Sequence, residues 1–280
     1  MGERPSSPDP AERWTPHLGG ERVVEGIHYG WLMKDHLARY QYAAPVCRGK
    51  RILDVATGSG YGANILRANG AANVVAVDRE QAALDYAADR YGTDRIEWVN
   101  ADAYELPFDG EFDVVVSFET IEHVKEPGRF VQQCKKAMKA DGVYVVSTPE
   151  NVGGPFVSPY HELEFNRHEF QELLERHFGS VELLGQRREL ALPIRLLGNL
   201  PDRYWRSIVE RGRGSHRLYR VMDRVNKAPN YALAHIAGMA DSWRERIVPL
   251  DEKIRLSMLL QDHYYVMIAV CRQPTTTAEL

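Results

Sequence analysis

Apolar residues fall along the chain in two alternating rhythms, short continuous runs and longer stretches with three-to-four spacing. The runs at 51–56, 73–78, 96–100, 112–118 and 143–147 are rich in Val, Ile, Leu and Phe, the mark of strands covered on both faces. Helical spacing occupies the intervals from Gly60 to Ala68, 80–91 and 128–139. Ahead of the first strand, Trp31, Leu32, Leu37, Tyr40 and Ala44 predict a helix over about 31–46. Asn166 and Glu169 form a capping pair that opens a helix over about 167–177, with Phe170, Leu173, Leu174 and Phe178 on one face. Two more strands are expected at Ser180–Leu184 and His263–Cys271. Strand alternating with helix predicts an α/β fold with a doubly wound, Rossmann-like sheet.

The last two strands are separated by some seventy residues of helix-like sequence. That interval is too long for a hairpin loop, so 188–261 is read as a helical insertion, a lid or substrate-binding appendage. Residues 21–187 and 262–272 then form the main domain, with flexible tails at 1–20 and 273–280. The first ten residues are polar and proline-rich, and no apolar run is long enough to span a bilayer. Met1, Gly2 and Ser6 formally fit a myristoylation pattern, but Glu3 and Pro5 make a poor context, and a chance match is the better reading.

Composition narrows the function. The chain has 280 residues, 44% of them hydrophobic, enough for a substantial core. A net charge of −4 exerts no general pull toward nucleic acid or membrane. Cys47, Cys134 and Cys271 are widely spaced, with no CxxC pair, which argues against a disulfide framework or zinc knot and for a reducing, cytoplasmic location. Between 193 and 230, nine Lys or Arg residues stand against three acidic ones. This excess fits a phosphate-bearing substrate or an acidic partner surface as well as it fits a solvated helical face.

The most informative stretch is Ile52 to Gly62, where an apolar run stops at a glycine turn. Glycines there let a backbone approach a nucleotide-like ligand where a Cβ would collide. A nicotinamide fingerprint wants its third glycine three residues after Gly60, where this chain has Ala63, so the dinucleotide reading is weakened. Asp54 lies inside the run, and Asp78 ends the next one, twenty residues after Gly58, well placed for ribose hydroxyls. From Arg51 to His177 the chain resembles a class I S-adenosylmethionine-dependent methyltransferase. The resemblance implies that the last strand is antiparallel and that the N-terminal helix covers the cofactor. It also places Ala56, Gly58, Gly60 and Tyr61 under the methionine and ribose, Asp54 near the amino-acid end, Asp78 on the ribose, and Asp102 and Ala103 at the adenine. Phe118 ends the fourth strand beside the same site. Ala56 departs from the family pattern, which has glycine there.

A second constellation is Glu119-Thr-Ile-Glu122-His123. On a helical turn, residues at i, i+3 and i+4 project from one face, and His161 and Glu164 follow downstream. Two carboxylates and two imidazoles could hold a divalent cation. The motif resembles that of metal-dependent small-RNA 2′-O-methyltransferases and, more loosely, ubiquinone-pathway O-methyltransferases. That resemblance implies Glu119, Glu122, His123 and His161 as the ligands, carboxylates favouring Mg²⁺ or Mn²⁺ and imidazoles admitting Zn²⁺ or Fe²⁺. Related metal-free methyltransferases also carry Ile-Glu-His, leaving His123, His161 and Glu122 as catalytic groups without an ion.

Tyr29, Trp31, Tyr40, Tyr42 and Tyr61 are candidates for pocket or core, and His36 and Arg39 for the cofactor carboxylate or for a solvated helix face. Gly20-Glu-Arg, His36 to Tyr40, Gly60-Tyr-Gly, Ser147-Thr-Pro and Pro159-Tyr-His-x-x-Glu-Phe together resemble bacterial methyltransferases of glycans and specialised metabolites. The implied reaction is O-methylation of a sugar hydroxyl on a saccharide or glycosylated natural product. An RNA 2′-O-methyltransferase, an N- or C-methyltransferase of a small metabolite and a protein that has kept only cofactor binding are the alternatives. The acidic chain argues against RNA. Partners are then a small-molecule or saccharide substrate, with oligomerisation left open.

Overall fold

The computed structural model describes residues 30–151, 158, 160–189, 244–249 and 266–273. The elements are α1 (Gly30–Cys47), β1 (Arg51–Val55), α2 (Tyr61–Ala68), β2 (Asn73–Asp78), α3 (Gln81–Tyr91), β3 (Ile96–Asn100), β4 (Phe112–Phe118) and a 3₁₀ turn (Ile121–His123), then α4 (Pro127–Ala137), β5 (Met138–Pro149), α5 (Arg167–Glu175), β6 (Ser180–Glu189), β7 (Arg244–Pro249) and β8 (Val266–Arg272). Eight strands form one sheet in the order β3-β2-β1-β4-β5-β8-β6-β7. The pairings from β3 to β5 are parallel, and β8 runs antiparallel to both β5 and β6. This is the expected doubly wound α/β sheet with an antiparallel last strand.

Side chains alternate along each buried strand and divide the core into two layers. Ile52, Val74, Val114, Val145 and Ile268 face α1 and α2 through Tyr40, Ala44 and Leu66. Leu53, Val75, Val115, Tyr144 and Met267 face the opposite way, against Phe130 and Cys134 of α4 and Phe170 and Leu174 of α5. The α5 start is a full capping box, with Asn166 accepting from the His168 and Glu169 amides and Glu169 returning a bond to the Asn166 amide.

Two features differ from the sequence reading. β5 begins at Met138 rather than 143, with a register shift opposite Phe112 and Val114, because Lys139-Ala-Asp-Gly continues the strand through an irregularity that reads as a turn. Within the stretch expected to be a helical insertion, the described residues Arg188, Glu189 and 244–249 are strand, and β7 hydrogen-bonds β6 at the sheet edge. β8 therefore lies inside the sheet, between β5 and β6. The rest of 188–261, the basic 193–230 stretch, Tyr29 and both tails lie outside the described residues. No helix among the described residues is long and apolar enough to cross a membrane.

Candidate active site

The strand order reverses between β1 and β4, so their carboxyl ends open a crevice of the kind that binds ligands in α/β sheets. The turn after β1 enters it with Ala56 at φ 60°, Gly58 at 59° and Gly60 at 80°. A Cβ on Gly60 would lie 2.5 Å from Ala87 Cβ and 2.7 Å from the Trp98 ring, so this glycine is required by close packing as well as by its φ. The Thr57 amide donates to the Val77 carbonyl at 2.8 Å, which ties the turn to β2. Asp78, at the end of β2, accepts the Gly58 amide on Oδ2 and the Glu80 amide on Oδ1, both at 2.9 Å. Its carboxylate is thereby fixed against the glycine turn. Past β3, exposed Asp102 accepts the Tyr104 amide at 2.8 Å, and half-buried Ala103 packs on the core.

Asp54 is enclosed by protein. Its Oδ1 accepts the Tyr40 hydroxyl at 3.1 Å and its Oδ2 the Thr57 hydroxyl at 2.6 Å. Burial pushes its carboxyl up to about 6, against the two hydroxyl donors that lower it. α1 thus docks on β1 through a polar contact in an apolar layer, and the helix is positioned by it. Gly62 serves the same docking, since a Cβ there would lie 2.0 Å from Tyr40 Cζ. This explains the unusual glycine spacing: the third glycine faces an aromatic ring of α1. Tyr40 also meets Phe118 edge-on at 4.8 Å and Tyr61 at 5.6 Å. His36 Nδ1 lies 2.9 Å from the Tyr61 hydroxyl, and burial raises the Tyr61 phenol above its usual range. Tyr40 is core and Tyr42 is exposed.

Arg39 is 1% exposed, a guanidinium inside the fold. Its Nη1 donates to Gln186 Oε1 at 2.8 Å, and its Nη2 lies 3.9 Å from Glu119 Oε2, beyond hydrogen-bond distance. Nε and Nη2 have no hydrogen-bond partner among the described residues. Gln186 was not singled out by the sequence, and no local signal could reveal it.

At the end of β4 the expected helical face is absent. Glu119 has φ 53°, and only Ile121–His123 forms a 3₁₀ turn, so the i, i+3, i+4 rule does not apply. Glu119 turns away from the other three groups: Ser147 Oγ donates to its Oε1 at 2.8 Å, and its own amide reaches Ser147 at 3.2 Å. Glu122, His123 and His161 do converge, with potential ligand atoms within 4.8 Å of one another. The amides of Glu162 and Leu163 donate to the Glu122 carbonyl at 2.8 and 3.1 Å, which docks the His161 segment onto the turn. The histidine rings stand edge to face at 5.0 Å. His123 Nδ1 is 2.9 Å from the Tyr160 carbonyl, an acceptor only, so Nδ1 carries the proton and a neutral ring keeps its Nε2 lone pair. Nε2 lies 4.0 Å from Glu122 Oε1. Glu122 is 1% exposed; burial, then the Glu119 charge, push its carboxyl well above the usual range. Its Oε2 has no hydrogen-bond partner among the described residues, and His161 Nδ1 lies 3.4 Å from Glu164 Oε1.

Residues 53–146 match the model of the methyltransferase domain family. A probable S-adenosylmethionine-dependent methyltransferase of Mycobacterium tuberculosis is 33% identical over 192 residues, 66% of this chain and 69% of the relative. A ubiquinone biosynthesis O-methyltransferase of Neisseria meningitidis is 33% identical over 143 residues, 49% of this chain and 58% of the relative. Among solved structures, phosphoethanolamine N-methyltransferase 2 of Haemonchus contortus bound to S-adenosyl-L-methionine superposes with a TM-score of 0.53 at 20% identity, covering 88% of this chain and 53% of that one, a likeness of fold. The chain belongs to the S-adenosylmethionine-dependent methyltransferases, class I, whose methyl donor is that sulfonium cofactor.

Proposed function

We propose that the protein transfers the methyl group to a hydroxyl oxygen, on a saccharide or glycosylated natural product. The observation that carries O-methylation is the convergence of Glu122, His123 and His161 at the carboxyl end of the parallel strands, beside the cofactor crevice. Methyl transfer from a sulfonium is an in-line displacement: the acceptor oxygen forms the C–O bond as the C–S bond breaks, leaving S-adenosylhomocysteine and one proton to remove. An amine nucleophile needs less help, whereas a neutral hydroxyl needs a base or a lowered pKa. The similarity to an O-methyltransferase of ubiquinone biosynthesis supports the oxygen acceptor. The sugar rests on the motif resemblance alone.

For the cofactor, the reading assigns the Ala56–Gly60 turn, Tyr61 and Phe118 to the methionine side, Asp78 to the ribose, and Asp102 and Ala103 to the adenine. Asp54 acts one step back, by holding Thr57 and Tyr40. Arg39 receives the cofactor carboxylate, since two nitrogens of this buried guanidinium have no hydrogen-bond partner among the described residues and Glu119 stands only at 3.9 Å. The stretch 188–261 shapes the acceptor side.

The Glu122, His123 and His161 set fits a divalent ion. Glu122 Oε2 is buried with no hydrogen-bond partner among the described residues, and the Tyr160 carbonyl orients His123 as outer-shell acceptors orient metal-bound imidazoles. A bound ion would lower the pKa of the acceptor hydroxyl. With Glu119 elsewhere, two nitrogens and one carboxylate favour Mn²⁺, Fe²⁺ or Zn²⁺ over Mg²⁺. Mn²⁺ titration of dialysed protein by calorimetry should give one site that is lost in His123→Ala and His161→Ala and kept in Glu119→Gln. Chelation should then stop release of S-adenosylhomocysteine with a saccharide acceptor. Turnover that survives chelation but not His123→Ala or His161→Ala would replace the ion with a histidine base.

A further inference from the structure

We infer that Gln186 is a positioning residue for the cofactor: it holds the Arg39 guanidinium in place, with Nε and Nη2 free of hydrogen bonds among the described residues, for the cofactor's carboxylate. This rests on the reading that Arg39 receives that group. Gln186 lies in β6, paired with Ile247 of β7 on one side and Val266 of β8 on the other, and is fully buried. Its Oε1 accepts Arg39 Nη1 at 2.8 Å, while its Nε2 donates to the Asp35 carbonyl at 2.9 Å. One amide therefore grips α1 twice, once by the backbone and once by the side chain that reaches the crevice. An amide is the group that can do both, because it offers an acceptor and a donor on one planar head. It is also neutral. A glutamate at this position would still accept from Arg39 but would neutralise it, and an incoming carboxylate would meet a closed ion pair. Glu119, at 3.9 Å from Nη2 and bonded to Ser147, is too far to satisfy the guanidinium.

The arrangement links the added edge of the sheet to the cofactor site. β6 bears on the methyl donor through this side chain, and β7 pairs with it at Ile247.

The test compares two ligands on the full chain by calorimetry: S-adenosylhomocysteine, which has the amino-acid carboxylate, and 5′-methylthioadenosine, which lacks it. Gln186→Glu should weaken S-adenosylhomocysteine at least tenfold and leave 5′-methylthioadenosine within twofold. Gln186→Met, apolar and similar in length, should show the same selectivity with a smaller loss. Arg39→Met tests the underlying reading, with the same selective loss expected. If Arg39→Met shows it and both Gln186 variants bind S-adenosylhomocysteine as the wild type does, the positioning role is overturned and the Arg39 reading stands. If Arg39→Met leaves both affinities unchanged, that reading fails and takes the inference with it. Parallel loss of both ligands in the two Gln186 variants would mark a purely structural residue and also overturn the proposal.

Discussion

Asp54→Asn should flatten the protein's stability between pH 4 and pH 7. Asp54 is wholly enclosed, and its carboxyl stands at about 6 in the folded chain against 3.8 for an ordinary aspartate. The sign is the reverse of the common carboxylate case. Because the folded state holds this proton more tightly, stability from Asp54 is complete below about pH 4 and lost as pH rises through about 6. A gap of about two units corresponds to about 3 kcal/mol, a large fraction of a domain's net stability.

Asparagine keeps the shape and removes the charge. It can accept one hydroxyl on its oxygen and donate its amide to the other, so the changes at Tyr40 and Thr57 cost an amount that does not depend on pH. Urea unfolding of both proteins at pH 4, 5, 6 and 7, on the same denaturant scale, isolates the ionisation. The wild type should lose about 2–3 kcal/mol relative to Asp54→Asn across that range, with most of the change between pH 4 and 6. A difference that stays constant with pH would refute the account, because burial would then impose no ionisation cost.

Two further outcomes follow from the crevice. Ala56→Gly should stabilise the protein by about 0.5–1 kcal/mol, since a left-handed φ costs an L-residue about 1–2 kcal/mol and glycine returns about 0.5–1 of that as chain entropy; a fall in the unfolding midpoint would contradict this. Asp78→Ala should weaken S-adenosylmethionine at least tenfold by calorimetry, because charge-assisted hydrogen bonds contribute about 1.5–3 kcal/mol; unchanged affinity would sink the ribose assignment.

What the sequence revealed was set by how local the determining forces are. β1, β2 and β4 were legible because each is a nearly unbroken apolar run, and α1 because Tyr40 and Ala44 repeat at helical spacing. β7 was not, since Arg-Glu-Arg-Ile-Val-Pro alternates charge at the period of an edge strand, and its identity comes from pairing with β6. The convergence of Glu122, His123 and His161 was anticipated through a family motif, and its geometry rests on two backbone bonds from 162 and 163. The error at Glu119 came from assuming a helix where the backbone turns left-handed. Gln186 contacts Arg39 and Asp35 across 147 and 151 residues, a relation no spacing rule carries.

Backbone strain marks the same place as the charges. Three non-glycine residues among those described have positive φ: Ala56, Arg95 and Glu119. Ala56 and Glu119 each directly follow the last residue of a central strand, β1 and β4, on either side of the point where strand order reverses. Such conformations cost about 1–3 kcal/mol and persist where surrounding contacts over-determine them. The contacts are present at both. Thr57 is held by Asp54 and by the Val77 carbonyl, and Glu119 is held by Ser147 through amide and carboxylate. Each strand is thereby bent aside just as it leaves the sheet, and the space between the two bends is the crevice into which the glycine turn and Asp78 face. Ala56 is the bend that glycine could relieve without removing a functional group. At Glu119 the strained residue also carries a carboxylate opposite a buried guanidinium, so a relaxed backbone there would come at the expense of the site's charge arrangement.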